Sequence, residues 1–371
     1  MYAGHIGGKM KKIVTIIGAR PQFIKAAAVS RVIRRSYNEV LVHTGQHYDK
    51  NMSDNFLDEL EIPYPDYHLN VGSGNPAKQT AHMMERIEEV LIKEKPDAIL
   101  VYGDTNSTLA GALAAVKIYI PIIHIEAGLR SFSKSMPEEI NRVLTDHIST
   151  LLFCPTDAAV KNLQREGILK GVHKTGDVMC DTVMHYIHNM SSKKAEIFQH
   201  LEPLYTKATD LLDQWYLATI HRAENTDTIN KLRIILDALE SAESRVIFSV
   251  HPRIKEYVDI LNEENQYKNI CFVKPMGYKD MLFLTNNAVK VVTDSGGLQK
   301  ESYIMKTPCV TIRNQTEWIE TLEGNFNILA EVDKEDILNK LKIKPDIEKY
   351  TQYYGNGNAA EQICELIAKD V

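Results

Sequence analysis

Three carboxylates in the stretch Val101–Arg142 stand just past apolar runs or turns: Asp104 after DAILVYG, Glu126 after PIIHI, and Glu138 after a loop and Pro137. If the two runs are neighbouring parallel strands, these acids leave the sheet at one rim. In open α/β sheets that rim, outside the carboxyl ends of the strands, is where ligands bind. One acid at a strand end is unremarkable; three in one stretch point to proton chemistry. Asp104, ahead of Thr-Asn-Ser, would also make a good helix N-cap, a bland alternative that is weaker for Glu126, followed by Ala-Gly-Leu-Arg. As metal ligands, Asp104, Glu126, Glu138 and His221 could suit a divalent ion. No spacing requires one, however, and neither HExxH nor DxD occurs.

Two further stretches have the composition of anion sites. In GARPQFIK, Gly18 permits a tight turn after a strand and Pro21 opens a helix without losing a useful N–H. Arg20 and Lys25 then sit near the positive end of that helix, where phosphate oxygens bind well. In TDSGGLQKE, a strand ends at Asp294, and Ser295, Gly296 and Gly297 open the next helix with exposed backbone N–H groups, an anion nest. Glu301, deeper in that helix, could accept from ribose hydroxyls. His221 in TIHRAEN and His251 in SVHPR end two successive strands, each beside an arginine, Arg222 or Arg253. Gln46 and His47, after another strand, could line the same rim or only bond within their loop. Neither GxGxxG nor GxxxxGK[ST] is present, which tells against a tightly bound NAD and against a P-loop.

These residues need a scaffold that brings strand ends together, and the chain predicts one. KIVTII, EVLVH, DAILVYG, PIIHI, LLFCPT and VHKTGDV are strand-like runs separated by helical stretches, among them Pro21–Arg35, Thr80–Lys93, Thr105–Val116 and Pro137–Ile148. A further helix, capped by Ser53, is expected between Gln46 and Leu60. After a charged helical interval, Met179–Asp213, the alternation restarts with WYLATI, RVIFSV, NICFV, AVKVVTD, PCVTI and NFNILA, and a short helix closes the chain. Such alternation predicts doubly wound parallel sheets. The 371 residues exceed what one core usually supports, so two domains facing a central cleft are expected. A hydrophobic content of 44% and a charged content of 25% fit a globular protein. The net charge of -6 argues against general affinity for nucleic acid or anionic membrane. No apolar run reaches the roughly 18 residues of a membrane span. Residues 1–9, with three glycines, read as a tail, with Met10 a natural start. Five cysteines without a CxxC pair read as reduced thiols and predict the cytoplasm.

With these motifs in hand, the chain resembles the non-hydrolysing UDP-N-acetylglucosamine 2-epimerases. IGARPQFIK, HTGQHYD, YGDTNST, HIEAGLRS with MPEEINR, IHRAEN, VHPR and TDSGGLQKE occur in that family's order, from Met10 to the C-terminus. The resemblance implies a GT-B-like fold of two Rossmann-like α/β domains, 10–182 completed by a C-terminal helix 356–371, and 183–355. It implies elimination of UDP across C1–C2 to a 2-acetamidoglucal and re-addition on the other face, without NAD, metal or other cofactor. Asp104, Glu126, Glu138 and His221 would be catalytic. Arg20, Lys25, His251, Ser295, Gly296, Gly297, Glu301 and Arg313 would hold UDP. Gln46, His47, Arg142 and Arg222 would serve the substrate or a second, activating UDP-GlcNAc, and a homodimer is expected. Two departures stand out: Ala223 replaces a basic residue after His-Arg, and TEWIE (Thr316–Glu320) replaces TERPE. Together with QHYDKNMSD, TEWIE resembles a subgroup that includes epimerases of UDP-2,3-diacetamido-2,3-dideoxyglucuronic acid. A GT-B glycosyltransferase and a non-catalytic nucleotide-sugar sensor are the alternatives; neither needs three clustered carboxylates.

Overall fold

The computed structural model describes residues 10–46, 57–190, 198, 200–205 and 214–371. The N-terminal tail, the Ser53 cap, His47 and much of the interval after Met190 lie outside the described residues. Two compact units emerge: the chain up to Thr182 rejoined by Tyr353–Val371, and Val183–Gln352.

The first unit alternates β1 (Lys12–Ile17), α1 (Arg20–Ile33), β2 (Asn38–His43), β3 (Tyr67–His68), α2 (Pro76–Glu94), β4 (Ala98–Tyr102), α3 (Asn106–Lys117), β5 (Ile122–Ile125), α4 (Pro137–Ile148), β6 (Leu151–Cys154), α5 (Asp157–Arg165), β7 (Val172–Lys174) and the start of α6 (Val178–Met190), within which the division at Thr182 falls. Its sheet runs β3-β2-β1-β4-β5-β6-β7 with every pair parallel. Strand order reverses between β1 and β4, the switch point at which such sheets open a crevice for ligands. β4 and β5 are buried along their whole length, which is why their sequences are continuous apolar runs without alternation.

The second unit repeats the plan with β8 (Tyr216–Thr219), α7 (Ala223–Thr226), α8 (Ile229–Glu240), β9 (Val246–Ser249), α9 (Lys255–Asn265), β10 (Ile270–Val273), α10 (Tyr278–Asn287), β11 (Lys290–Thr293), α11 (Gly296–Ile304), β12 (Cys309–Ile312), β13 (Asn327–Ala330) and α12 (Lys334–Lys342). Its sheet order is β10-β9-β8-β11-β12-β13, again wholly parallel, with the reversal between β8 and β11. Leu217, Ile247, Val291 and Cys309 pack one face of this sheet, and Ala218, Phe248, Val292 and Val310 the other.

Three local expectations change. The Pro- and Gly-rich connection before α2 contains β3, an edge strand of two residues, too short for any periodicity to register. α2 begins at Pro76 rather than Thr80, because proline at the first helical position costs no hydrogen bond. The N-cap of α3 is Thr105, whose hydroxyl accepts from Thr108 N at 3.2 Å, so Asp104 is left for other work. Among the described residues no helix is long and apolar enough to cross a membrane.

The last helix, α13 (Ala359–Asp370), packs on α1 and is fastened by Asp181. The Asp181 carboxylate accepts from Ala359 N at 3.1 Å and Ala360 N at 2.7 Å. Burial, helped by the charges of Glu361 and Asp177, outweighs these two bonds and pushes its carboxyl up to about 6 from 3.8. Between these values the native chain holds a proton that the unfolded chain has released. This group's share of stability is therefore complete below about pH 4 and is lost as pH rises through about 6. Urea unfolding at a series of pH values should show wild type losing stability relative to Asp181→Asn across that window. Parallel pH curves would disprove this linkage.

Candidate active site

In the first unit the rim is built at the ends of β1, β4 and β5. Gly18 ends β1 where an added Cβ would lie 2.1 Å from Thr44 Oγ1 and 2.2 Å from Ser107 Oγ, so only glycine fits. The Gln22 side chain folds back over the first turn of α1. It accepts from Gly18 N (2.8 Å) and Ala19 N (3.1 Å) and donates to Tyr102 O (3.1 Å) and Thr108 Oγ1 (3.0 Å). The Gly18–Ala19 backbone donors are thus already satisfied, whereas Arg20 stands exposed at the head of the helix.

Lys25, one turn further along α1, points inward. Its ammonium lies 2.5 Å from Glu126 Oε1, and both side chains are less than a tenth exposed. Glu126 occupies a left-handed conformation, φ 69°, directly after β5. Its N–H and that of Ala127 both donate to Phe153 O at 3.1 Å, which binds this turn to β6. Gly103, at φ 62°, closes over the pair: a Cβ there would stand 3.0 Å from Lys25 Nζ and 3.3 Å from Glu126 Oε1. The next residue, Asp104, pairs with Arg142 of α4. Asn141 donates to Asp104 O at 2.9 Å and to Asn106 Oδ1 at 3.1 Å. β4 and β5 are neighbours, so two carboxylates leave adjacent strands, each already against a cation.

Glu138 and Glu139 follow Pro137 but take opposite sides of α4. Glu139 is buried; it accepts from Ser131 N, Ser131 Oγ and Phe132 N at 2.8, 3.0 and 2.9 Å, and from Arg142 at 2.9 Å. Burial opposes its charge, but these donors prevail and hold its carboxyl below the usual range. Glu138 is exposed and has no hydrogen bond or ion pair among the described residues. Gln46 is tied into the fold, its side-chain Oε1 accepting from Ser107 N (2.9 Å) and Ser107 Oγ (2.7 Å).

In the second unit the rim is organised by Asp294, fully buried at the end of β11. Its carboxylate accepts from His221 N at 3.1 Å, Arg222 N at 2.9 Å and Asn225 Nδ2 at 3.0 Å, while Arg222 Nε donates to its carbonyl at 2.8 Å. One acid thereby shapes the HRAEN turn after β8. The His221 ring sits 3.3 Å from Asp294 by Nδ1 and stacks on His251, with centroids 5.1 Å apart and planes at 25°. His251 Nδ1 accepts from Arg253 N at 3.1 Å, so the proton of a neutral ring is on Nε2. Ser295, Gly296 and Gly297 are half-exposed at the start of α11. A Cβ at Gly296 would lie 2.5 Å from Glu317 Oε1, so a larger residue there would displace the end of that side chain. Arg313, after β12, is buried and bonds Glu317 at 2.8 Å, with Glu224 at 3.4 Å. Glu317 stays below the usual carboxylate range: burial opposes the charge, but Arg313 and Arg222 overcome it. Glu301 is buried within α11.

Lys25, Glu126, Asp104 and Arg142 thus stand at the strand-end rim of the first unit, and His221, Arg222 and His251 gather beside Asp294 in the second, whereas Glu138 bonds none of them. Sequence reading passed over the residues that hold them: Asp294, Asn141, Glu139, Gln22 and Glu317. A polar residue directly past a buried strand, as Asp294 is, was the one available signal. Among the described residues no three His, Cys, Asp or Glu side chains cluster as a metal site would.

Comparison with known proteins decides the family. The model of the family described as UDP-N-acetylglucosamine 2-epimerase matches residues 31–368. The chain belongs to that family. It is 50% identical over 360 residues to a UDP-N-acetylglucosamine 2-epimerase homolog of Methanococcus maripaludis, covering 96% of this chain and 99% of that one. It is 44% identical over 368 residues to the UDP-2,3-diacetamido-2,3-dideoxy-D-glucuronate 2-epimerase of Pseudomonas aeruginosa, covering 96% and 99%. The crystal structure of the Methanocaldococcus jannaschii UDP-GlcNAc 2-epimerase in complex with UDP-GlcNAc and UDP matches with a TM-score of 0.84 and 39% identity, over 96% of this chain and 99% of that one. The two parallel α/β units of this epimerase-family chain are of the expected GT-B-like class.

Proposed function

We propose that the chain inverts C2 of a UDP-2-acetamido sugar by removing and re-adding UDP. The C2 proton has no adjacent carbonyl, so direct abstraction would leave an unstabilised carbanion. If the C1–O bond to UDP breaks as the C2–H bond does, the C–H electron pair becomes the C1=C2 bond of a 2-acetamidoglucal, and the leaving pair departs on UDP. Return of a proton to the opposite face of C2, with attack of the UDP oxygen on C1, gives the epimer. One observation carries this reading: two carboxylates at adjacent strand ends, Asp104 and Glu126, each held by a cation at a fixed place.

In this reading Asp104, Glu126 and Glu138 handle the C2 proton on its two faces, and His221, steadied by Asp294, meets the departing UDP. Arg20, Lys25, His251, Ser295, Gly296, Gly297, Glu301 and Arg313 serve the UDP; Lys25 also neutralises Glu126. Arg142 and Arg222 act through the carboxylates they bond, Asp104 and Asp294. Family resemblance supports a homodimer and an activating UDP-GlcNAc near Gln46 and His47. The free thiols of all five cysteines support the cytoplasm.

Turnover in D2O tests the chemistry. The epimerised product is expected to carry deuterium at C2, and a product with full protium there would sink elimination and re-addition. The relative at 44% identity favours a second substrate, UDP-2,3-diacetamido-glucuronic acid. Comparing kcat/KM for that sugar and for UDP-GlcNAc decides between them.

A further inference from the structure

His124, the third residue of β5, is fully buried and has an oxygen against each ring nitrogen: Asp146 Oδ1 lies 2.7 Å from Nδ1, and Gly103 O lies 2.8 Å from Nε2. A backbone carbonyl can only accept, so Nε2 carries a proton. The other oxygen belongs to a carboxylate whose Oδ2 already receives Gly128 N at 3.0 Å and Arg130 at 2.6 Å. An acid so supplied with donors is ionised and accepts from Nδ1 as well. Although burial opposes its charge, the hydrogen bond of His124 and the charge and bond of Arg130 hold the Asp146 carboxyl below the usual range.

We propose that His124 is a buried imidazolium and a positioning residue, which with Asp146 braces the two turns that carry Asp104 and Glu126. The brace has two ends. At one, the ring holds the carbonyl of Gly103, fixing the peptide plane that leads into Asp104, while Gly103 N donates to Ile125 O at 2.9 Å. At the other, Asp146 holds Gly128 N, closing the turn that Glu126 opens; Gly128 sits at φ 80°, where a Cβ would meet Ala159 O at 2.5 Å. His124 is itself covered, so it acts on the carboxylates only through these turns.

The surrounding charges balance. Arg130 also binds Glu166 through two bonds of 2.7 Å, and His147 lies 3.3 Å from Glu166. Cys154, the remaining titratable neighbour of Asp146, is pushed up to about 12 by burial and by the Asp146 charge, and so stays neutral. With His124 charged, two cations, Arg130 and His124, face two anions, Asp146 and Glu166. A neutral imidazole would leave Asp146 and Gly103 O competing for one ring proton, with one buried acceptor unsatisfied.

This inference rests on the proposed role of Asp104 and Glu126, but its first test does not. In the intact protein labelled selectively with 15N-histidine, the His124 signals are assigned by their loss in His124→Gln. Both ring nitrogens are expected in the protonated range near neutral pH; one nitrogen in the unprotonated range overturns the proposal. Kinetics form the second test, at a temperature where circular dichroism shows the variant folded. His124→Gln keeps a donor for Gly103 O but loses the bond to Asp146. It should lower kcat about tenfold or more, because small displacements of reacting groups are costly, while KM stays within about threefold. An unchanged kcat in the folded variant overturns the positioning role. If Asp104→Asn retained full C2 exchange, the proposed function would fail instead, and the ring-nitrogen signals would still decide the charge of His124.

Discussion

Asp104→Asn should lower kcat by about 10²–10⁴-fold, the usual contribution of a proton-transferring side chain, and abolish deuterium uptake at C2. The amide keeps the shape of the carboxylate but cannot take a proton. The variant should nevertheless fold. Arg142, whose partner Asp104 is, also bonds Glu139 at 2.9 Å, so its buried guanidinium keeps an anion when Asp104 is neutralised. A small change in the urea midpoint with a large fall in kcat is therefore expected. Deuterium uptake at wild-type rate in the folded variant would remove Asp104 from the proton chemistry.

The second large effect combines activity with stability. Glu126→Gln should lose activity on the same scale and, unlike the Asp104 change, should also destabilise the fold. Lys25 and Glu126 are both almost fully buried and 2.5 Å apart, so the single change leaves an ammonium buried without its counter-ion. Breaking such a pair typically costs about 3–5 kcal/mol, whereas replacing both members with neutral groups of similar size costs little. The double variant Lys25→Met/Glu126→Gln should accordingly regain most of the lost stability in urea unfolding while remaining inactive. The left-handed backbone at Glu126, φ 69°, strains Gln no more than Glu, so the comparison isolates the charge. Equal stability of wild type and the single variant would show that the pair is better solvated than its burial implies.

These two carboxylates differ in their surroundings although they leave adjacent strands. Asp104 is more than a quarter exposed and its cation is shared; Glu126 is nearly covered and its cation is its own. Glu138, the second residue of α4, is exposed and has no cation partner among the described residues. The three acids are thus graded in exposure and in compensation.

Much of this was legible in the residues. Apolar runs such as AILVY and VIFS are buried along their whole length as interior strands, and their spacing by helices points to parallel sheets. The polar residue after each run then falls on the carboxyl rim, which is how Asp104, Glu126, His221, His251 and Ser295 could be picked out. The edge strand Tyr67–His68 was not legible, because two residues, one half-buried and one exposed, carry no pattern. Nor could the unequal fates of Glu138 and Glu139 be read, since neighbours on a helix differ only by which face meets Ser131 and Arg142.

What tertiary structure alone decided is which partner each charged group has. Lys25 meets Glu126 across 101 positions of sequence, His221 meets Asp294 across 73, and His124 meets Asp146 from a helix that packs over its strand. Local pattern reports how a residue is buried, because burial repeats with the period of its own strand or helix. Partnership depends on strand order, which places β1 beside β4 and β8 beside β11 although neither pair is consecutive in the chain. Residue type and spacing therefore point to the chemistry, and the parallel sheets determine which charges are compensated where that chemistry would occur.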